Sequence, residues 1–300
     1  MKKALIVLKQ NDPLRMAGAT AFFTTFALPP ILIILVQLFG LIINPTTLSS
    51  QLIKDIGAII GKEGAAQINL VIENIRALNK EWYVALGGFL FLMVIATTLF
   101  SVVKNSLDQI WSIRVKDKPG LKFRLKLRLR SLGIILLAGL LFIIGVLSEG
   151  LMALIGNYLV FLLPDNSMIV NYLINELFFI AIVTIWFCIL FRYLTDGRPD
   201  WNLALMGGFF TAVLLNGGKL ILRWLLTYNN ISTIYGASGS IVLIMLFVFY
   251  SSIIFYYGGA FIKVLSDTQR KPIRPIRKAY RYELYESKVE EKPHYFRPKT

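Results

Sequence analysis

Six apolar runs, each long enough to cross a lipid bilayer as a helix, constrain this chain more than any other feature. A hydrocarbon core about 30 Å thick needs ~20 helical residues to span it. The runs Ala17–Ile43, Tyr83–Val103, Leu132–Ile155, Leu173–Leu194, Leu203–Leu226 and Ile241–Leu265 all meet that length. Composition agrees: 56% of residues are hydrophobic, 16% are charged, and the mean hydropathy is +0.65. A soluble domain is about a quarter charged, so this much apolar surface calls for lipid as its solvent. The expected fold is an all-α integral membrane protein. A bundle of about six transmembrane helices fills residues 1–270, and a basic tail over 271–300 is expected to be disordered. That tail mixes charges with Pro272, Pro275, Pro293 and Pro298, a composition that buries too little to fold alone.

The charges orient the bundle. Lysine and arginine number 32 against 17 acids, for a net +15, a balance that fits either nucleic acid or an anionic membrane surface. Nine cations fall in the second connection, from Lys104 to Arg130, and eleven in the tail from Lys263 onward; the N-terminal arm and the fourth connection add Lys2, Lys3, Lys9, Arg15, Arg192 and Arg198. The first connection holds Lys54, Lys62, Arg76 and Lys80, balanced by acids, and the third and fifth hold none. This is the positive-inside pattern with an even number of spans. Both termini are therefore expected in the cytoplasm of a bacterial cell, with anionic headgroups of the cytoplasmic membrane as partners and no nucleic acid.

Between the first two spans, Leu52, Ile53, Ile56, Ile59 and Ile60, and then Ile68, Val71, Ile72, Ile75 and Leu78, recur at helical spacing. Gly61 and Gly64 punctuate them. Two short amphipathic helices outside the cytoplasm are expected there. Residues Leu121 to Arg130 alternate apolar and basic, and are expected to continue the third helix into the interface with cations reaching lipid phosphates. The apolar core of Met1–Lys9 is too short for a secretory signal, so insertion is expected to rely on the spans. The lone Cys188 excludes an internal disulfide.

Several motifs then point one way. Ala17-Gly18-Ala19-Thr20-Ala21-Phe22-Phe23-Thr24-Thr25-Phe26-Ala27-Leu28-Pro29-Pro30 resembles the Ala-rich, Thr-containing opening of the YihY/BrkB family of bacterial inner-membrane proteins. Ser106-Leu107-Asp108-Gln109-Ile110-Trp111 resembles its Leu-Asn-x-Ile-Trp signature, and Ile234-Tyr235-Gly236-Ala237-Ser238-Gly239 its Tyr-Gly-Ala-x-Gly motif. Gly207-Gly208, Lys219 and Tyr228 fall where that family tends to place glycine, lysine and tyrosine. The resemblance covers Asn11 to Asp267 and implies a multi-pass membrane fold. It implies little about activity, because members have carried ribonuclease, virulence-factor and transporter labels alike. Three positions depart from the family pattern: Asp108 replaces a usual asparagine, Phe247 a common tryptophan, and Phe261 a common glutamate.

Ribonuclease chemistry wants paired histidines, or a metal held by histidine and carboxylates. The single histidine is His294, in the polar tail. No metal-binding or nucleophile motif is present, so no enzyme, metal or cofactor is expected. The ionisable residues inside the spans are sharper features, since such groups are by default functional candidates. Helix directions place Glu149, Glu176, Lys219 and Arg223 at similar depth in the outer half of the membrane, with Glu176 expected in the first turn of its helix. Asn216, Lys219 and Arg223 share one face of the fifth span. Together these five residues form the candidate polar cluster, expected to meet a small anionic or lipidic solute. The alternative is a non-catalytic envelope scaffold in which the charges only lock helices together. Pro29 and Pro30 are a candidate helix break, with Thr20, Thr24 and Thr25 as groups that could re-satisfy the freed backbone.

Overall fold

In the computed structural model of the chain, the described residues are 1–39, 69–70, 82–115, 133, 167–228, 239–276 and 279–283. They are mostly helical, as expected. A short α1 (Lys2–Lys9) leads into α2 (Pro13–Phe39), followed by α3 (Trp82–Ile110), α4 (Ser167–Tyr193), α5 (Trp201–Tyr228) and α6 (Gly239–Thr268). The five long helices have 27 to 30 residues, which at 1.5 Å per residue is about 40 Å or more each. All five coincide with predicted spans and extend past one or both of their ends. Of the third predicted span only Gly133 is described, and of the amphipathic region 52–78 only Asn69 and Leu70, all three helical; the rest of both, and the alternating stretch 121–130, lie outside the described residues.

Pro13 opens α2 at a position where a missing N–H costs nothing and the fixed φ already suits a helix. Helix α2 is assigned as helix through Pro29 and Pro30 to Phe39. The threonines do not rescue the carbonyls that these prolines free. Thr20 donates to the carbonyl of Met16, Thr24 to Thr20 and Thr25 to Ala21. A hydroxyl in a helix reaches the carbonyl one turn behind its own Cα, well short of residues 25 and 26.

Helix α6 is the hub, packing against α1, α2, α3 and α5, while α4 packs most extensively on α5. The densest core sits at one end of the bundle, where Leu107, Ile110, Trp111, Phe191, Leu203, Tyr256 and Ile262 are almost fully buried. Phe191 stacks on Phe255 with ring centroids 4.9 Å apart. Other apolar residues of these helices turn outward: Leu177, Ile185, Leu205, Phe209, Val213 and Ile241 are all exposed. Glu176–Tyr193 and Ile244–Thr268 are long and apolar enough to cross a membrane, yet only 28% and 39% of them is buried inside the protein. The core helix of a soluble protein would be mostly covered, so these faces suit lipid.

The structure corrects two expectations. The fold is not purely helical, and the tail is ordered through Glu283 among the described residues. Strand β1 (Ile113–Val115) pairs antiparallel with β4 (Ala279–Arg281), and β2 (Gly197–Arg198) with β3 (Arg274–Pro275). The start of the tail thus crosses the ends of two connections and supplies partners to backbone groups that the helix ends leave open. Ile276 N–H donates to the Asp196 carbonyl and Tyr282 N–H to that of Ser112, both at 2.9 Å. Composition missed this because pairing partners, unlike propensity, lie far away in sequence. Gly197 permits the approach: a Cβ there would meet Ile113, Trp111 and Ile273 at 2.5 to 2.9 Å.

Candidate functional site

Two polar sites sit at different depths. The outer one holds part of the cluster expected from sequence. Asn216 Nδ2 on α5 donates to Glu176 Oε2 on α4 at 2.8 Å, and both residues are half-buried. Helix α4 starts at Ser167, so Glu176 lies about 13 Å along it rather than in its first turn. From the other end, Glu176 is ~25 Å from Tyr193, and Asn216 ~23 Å from Trp201. Tyr193 and Trp201 meet edge to face, and the Arg192 guanidinium lies 4.3 Å over the Trp201 ring. Aromatic and cationic residues of this kind are typical of the interface end of a membrane helix, and the Glu176–Asn216 pair lies roughly 23–25 Å from that end. Nearby, Tyr250 Oη reaches the Leu215 carbonyl at 3.5 Å and fills the space beside Gly218. Lys219 lies three residues past Asn216 on α5 and Arg223 seven past it. Their side chains, and the whole of Glu149, lie outside the described residues. The structure therefore joins two of the five expected residues and leaves the other three unplaced.

The second site is one the sequence did not flag. Lys104 and Asp108 are one turn apart on α3, and Asp196 sits in the turn after α4. Lys104 Nζ is 3.1 Å from Asp108 Oδ2 and 2.5 Å from Asp196 Oδ2, while Asp108 Oδ1 accepts the Asp196 N–H at 2.9 Å. All three are buried, at 8%, 6% and 1% exposure. Burial raises the Asp108 carboxyl to about 6, outweighing the lowering by the nearby Lys104 ammonium; the Asp196 carboxylate adds to the rise and its N–H opposes it. Below this cluster, Trp111 Nε1 donates to the Gly259 carbonyl at 2.9 Å, and Lys263 Nζ to Ser112 Oγ at 3.0 Å. One turn outward, Tyr256 Oη is hydrogen-bonded to Thr20 at 2.5 Å and to Ser106, tying α2, α3 and α6 together. In the sequence Lys104 is one of the orienting cations. The available signal was its spacing of four from Asp108, inside the one motif where an asparagine has become an acid.

Between the two sites, the hydroxyls of Thr184 on α4 and Ser251 on α6 are buried without a hydrogen-bond partner among the described residues. Thr184 lies one turn from Phe187 and Ser251 one turn from Phe255, and the rings of Phe187, Phe191 and Phe255 pack against one another. No group of three metal-ligating side chains occurs among the described residues.

Comparison with known proteins covers nearly the whole chain. The family described as Virulence factor BrkB matches residues 4–282. A UPF0761 membrane protein of Pseudomonas paraeruginosa is 27% identical over 183 residues, which is 61% of this chain and 42% of that protein. One of Saccharophagus degradans is 23% identical over 252 residues, 84% of this chain and 56% of its own. One of Glaesserella parasuis is 26% identical over 182 residues, 59% and 60% of the two chains. The chain thus spans about half the length of the curated relatives it matches. No solved structure matches.

Proposed function

This chain belongs to the Virulence factor BrkB family of membrane proteins, and from that premise we propose that it is a six-span carrier or channel-like protein of the bacterial cytoplasmic membrane for a small anionic or lipidic solute. The observation that carries this reading is the Glu176–Asn216 hydrogen bond between α4 and α5. A carboxylate held at that depth has a cost in lipid that proteins rarely accept without a use. Lys219 and Arg223 continue from Asn216 at helical spacing, and so offer cations to an anion on the same face. We further propose that Glu149 is the counter-charge of Lys219, holding that face ready between solutes.

The test is flux through purified protein in phosphatidylethanolamine–phosphatidylglycerol vesicles, with chloride, inorganic phosphate and a short-chain fluorescent phosphatidylglycerol as probes. Movement of one probe is expected, falling at least tenfold in Lys219→Met. Adding Glu149→Gln to that variant should restore stability but not flux, because the anion's partner is still missing. No flux of any probe, with a partner protein lost from co-purification in the same variants, would establish the scaffold alternative.

The orientation proposed is both termini in the cytoplasm, which puts the densely packed end of the bundle and its strand-paired tail on that side. It rests on the distribution of cations. A reporter active only outside the cytoplasm should work when fused at Asp165 or Asn230, and fail at Lys118 or after Thr300. Activity at Lys118 would reverse the assignment.

A further inference from the structure

We propose that Arg114, Arg198 and Arg274 form a binding site for the phosphate of an anionic phospholipid headgroup, and that the lipid bound there holds the tail against the bundle. Strand alternation brings the three together. Ile113 on β1, Gly197 on β2 and Ile273 just before β3 face one another inward, since a Cβ at Gly197 would meet the two isoleucines at 2.5 and 2.9 Å. Successive side chains of a strand point to opposite sides, so the next residue of each segment points outward. That residue is an arginine all three times, and all three are exposed. Arg198 and Arg274 are also direct cross-strand partners, which starts their side chains about 5 Å apart. Like charges so placed repel and weaken the ladder.

Other cations at this end of the bundle have partners. Arg281 pairs with Asp267, Lys104 with Asp108 and Asp196, and Arg192 donates to the Pro199 carbonyl and lies over Trp201. Among the described residues no ion pair satisfies Arg114, Arg198 or Arg274. The backbone beneath them is nevertheless braced. Thr195 Oγ1 donates to the Gly197 carbonyl at 2.7 Å, Ile276 N–H to that of Asp196 and Tyr282 N–H to that of Ser112. Three planar forks on a fixed backbone suit a phosphate, which a guanidinium binds through two parallel hydrogen bonds. The anion turns the repulsion between Arg198 and Arg274 into a shared attraction.

The surroundings select a lipid as the source of that phosphate. Tyr280 is the cross-strand partner of Arg114, while Tyr193 and Trp201 end and begin the helices on either side of β2. All three are exposed aromatic residues, the kind that sits at headgroup level. The long helices exceed the hydrocarbon thickness by about 10 Å, enough to carry their ends and these strands into the headgroup layer. The site rests on the membrane fold and not on solute transport.

The experiment measures thermal unfolding of the purified full chain in nanodiscs of dioleoyl phosphatidylglycerol or dioleoyl phosphatidylcholine, which share their acyl chains. The wild type should unfold several degrees higher in phosphatidylglycerol. Replacing Arg114, Arg198 and Arg274 together by glutamine should remove most of that difference. Replacing Lys2, Lys3 and Lys9 of α1 by glutamine takes away the same charge from other exposed positions and should leave it. Arg198→Glu places an anion directly opposite Arg274, so it should raise the midpoint in phosphatidylcholine toward that of the wild type in phosphatidylglycerol. If the triple arginine variant fails to give monodisperse protein, Arg198→Glu decides, and a lipid dependence like that of the wild type would overturn the proposal. Equal losses in the two triple variants would do the same, by showing only a diffuse attraction of cations to an anionic bilayer. Glycerol 3-phosphate stabilising the protein in phosphatidylcholine as well as phosphatidylglycerol does would assign the arginines to a soluble phosphate compound instead. Tight binding of a short oligoribonucleotide, lost in the arginine variant, would assign them to nucleic acid. The assay contains no solute, so absence of flux in vesicles would sink the transport reading and leave this lipid site standing.

Discussion

Lys104→Met is expected to destabilise the protein by about 3–5 kcal/mol at pH 7.5, the range for breaking a buried ion pair by removing one partner. The substitution is close to isosteric, so packing changes little. What it leaves is Asp108 and Asp196 facing each other in a site that water barely reaches. The loss should shrink as pH falls toward 5, because a protonated Asp108 no longer adds to the uncompensated charge. Adding Asp108→Asn should recover much of the stability at pH 7.5, since it removes one of the two buried carboxylates that Lys104 served and keeps the hydrogen bond to the Asp196 N–H. Tryptophan fluorescence during thermal or denaturant unfolding in detergent would measure this. A Lys104→Met variant within 1 kcal/mol of wild type, or a double variant no better than the single, would show the three groups to be uncoupled.

The same cluster gives a signed dependence on pH. Asp108 titrates at about 6 in the folded protein against 3.8 for the free group. Between those values the unfolded chain has already released a proton that the folded one keeps. Stability from this group is therefore greatest below pH 4, falls as pH rises to 6, and is flat above. The fall is on the order of 3 kcal/mol, at 1.36 kcal/mol per unit. It should be the difference between the pH profiles of the wild type and Asp108→Asn.

Gly208→Leu is the second large effect. A Cβ at Gly208 would lie 2.6 Å from the Thr184 carbonyl oxygen and 3.0 Å from the Cys188 nitrogen. Both are backbone atoms of α4, so no side chain can move aside. The helices must separate at the most extensively packed pair in the bundle, with a loss of about 3 kcal/mol or more. Gly217→Ala, nine residues along the same helix, meets nothing within 4 Å. It should be neutral or stabilising by up to ~1 kcal/mol through helix propensity. Equal effects at the two positions would mean that α4 and α5 do not touch at Gly208. Because Gly208 sits between the two polar sites, the same variant should also misplace Glu176 against Asn216.

Both glycines illustrate what could be read in advance. Gly207, Gly208, Gly217 and Gly218 form one small-residue pattern in the sequence, which rightly indicates close packing somewhere on α5. It does not say that Gly208 touches backbone, that Gly218 makes room for Tyr250, or that Gly217 faces open space. Likewise the spacing assigns Asn216 a face of its helix but says nothing of its partner Glu176, which is 40 residues away. Tyr256 and Thr20 are 236 residues apart. The start of the tail looked disordered because its prolines and charges were weighed locally, whereas its order comes from ladders to Ile113–Val115 and Gly197–Arg198.

The sequence by itself determined that this chain is helical and belongs in a membrane, because both follow from local composition against the thickness and polarity of lipid. It also carried the family, through short motifs that survive without their contacts. Only the tertiary structure decided what individual charges do. Lys104 reads in sequence as one more cation at the end of a span. It becomes the centre of a buried cluster only because the fold brings Asp196, from a turn beyond the next described helix, to within 2.5 Å. Burial and proximity set the electrostatics of a site, and both are properties of contacts between distant segments that no local pattern encodes.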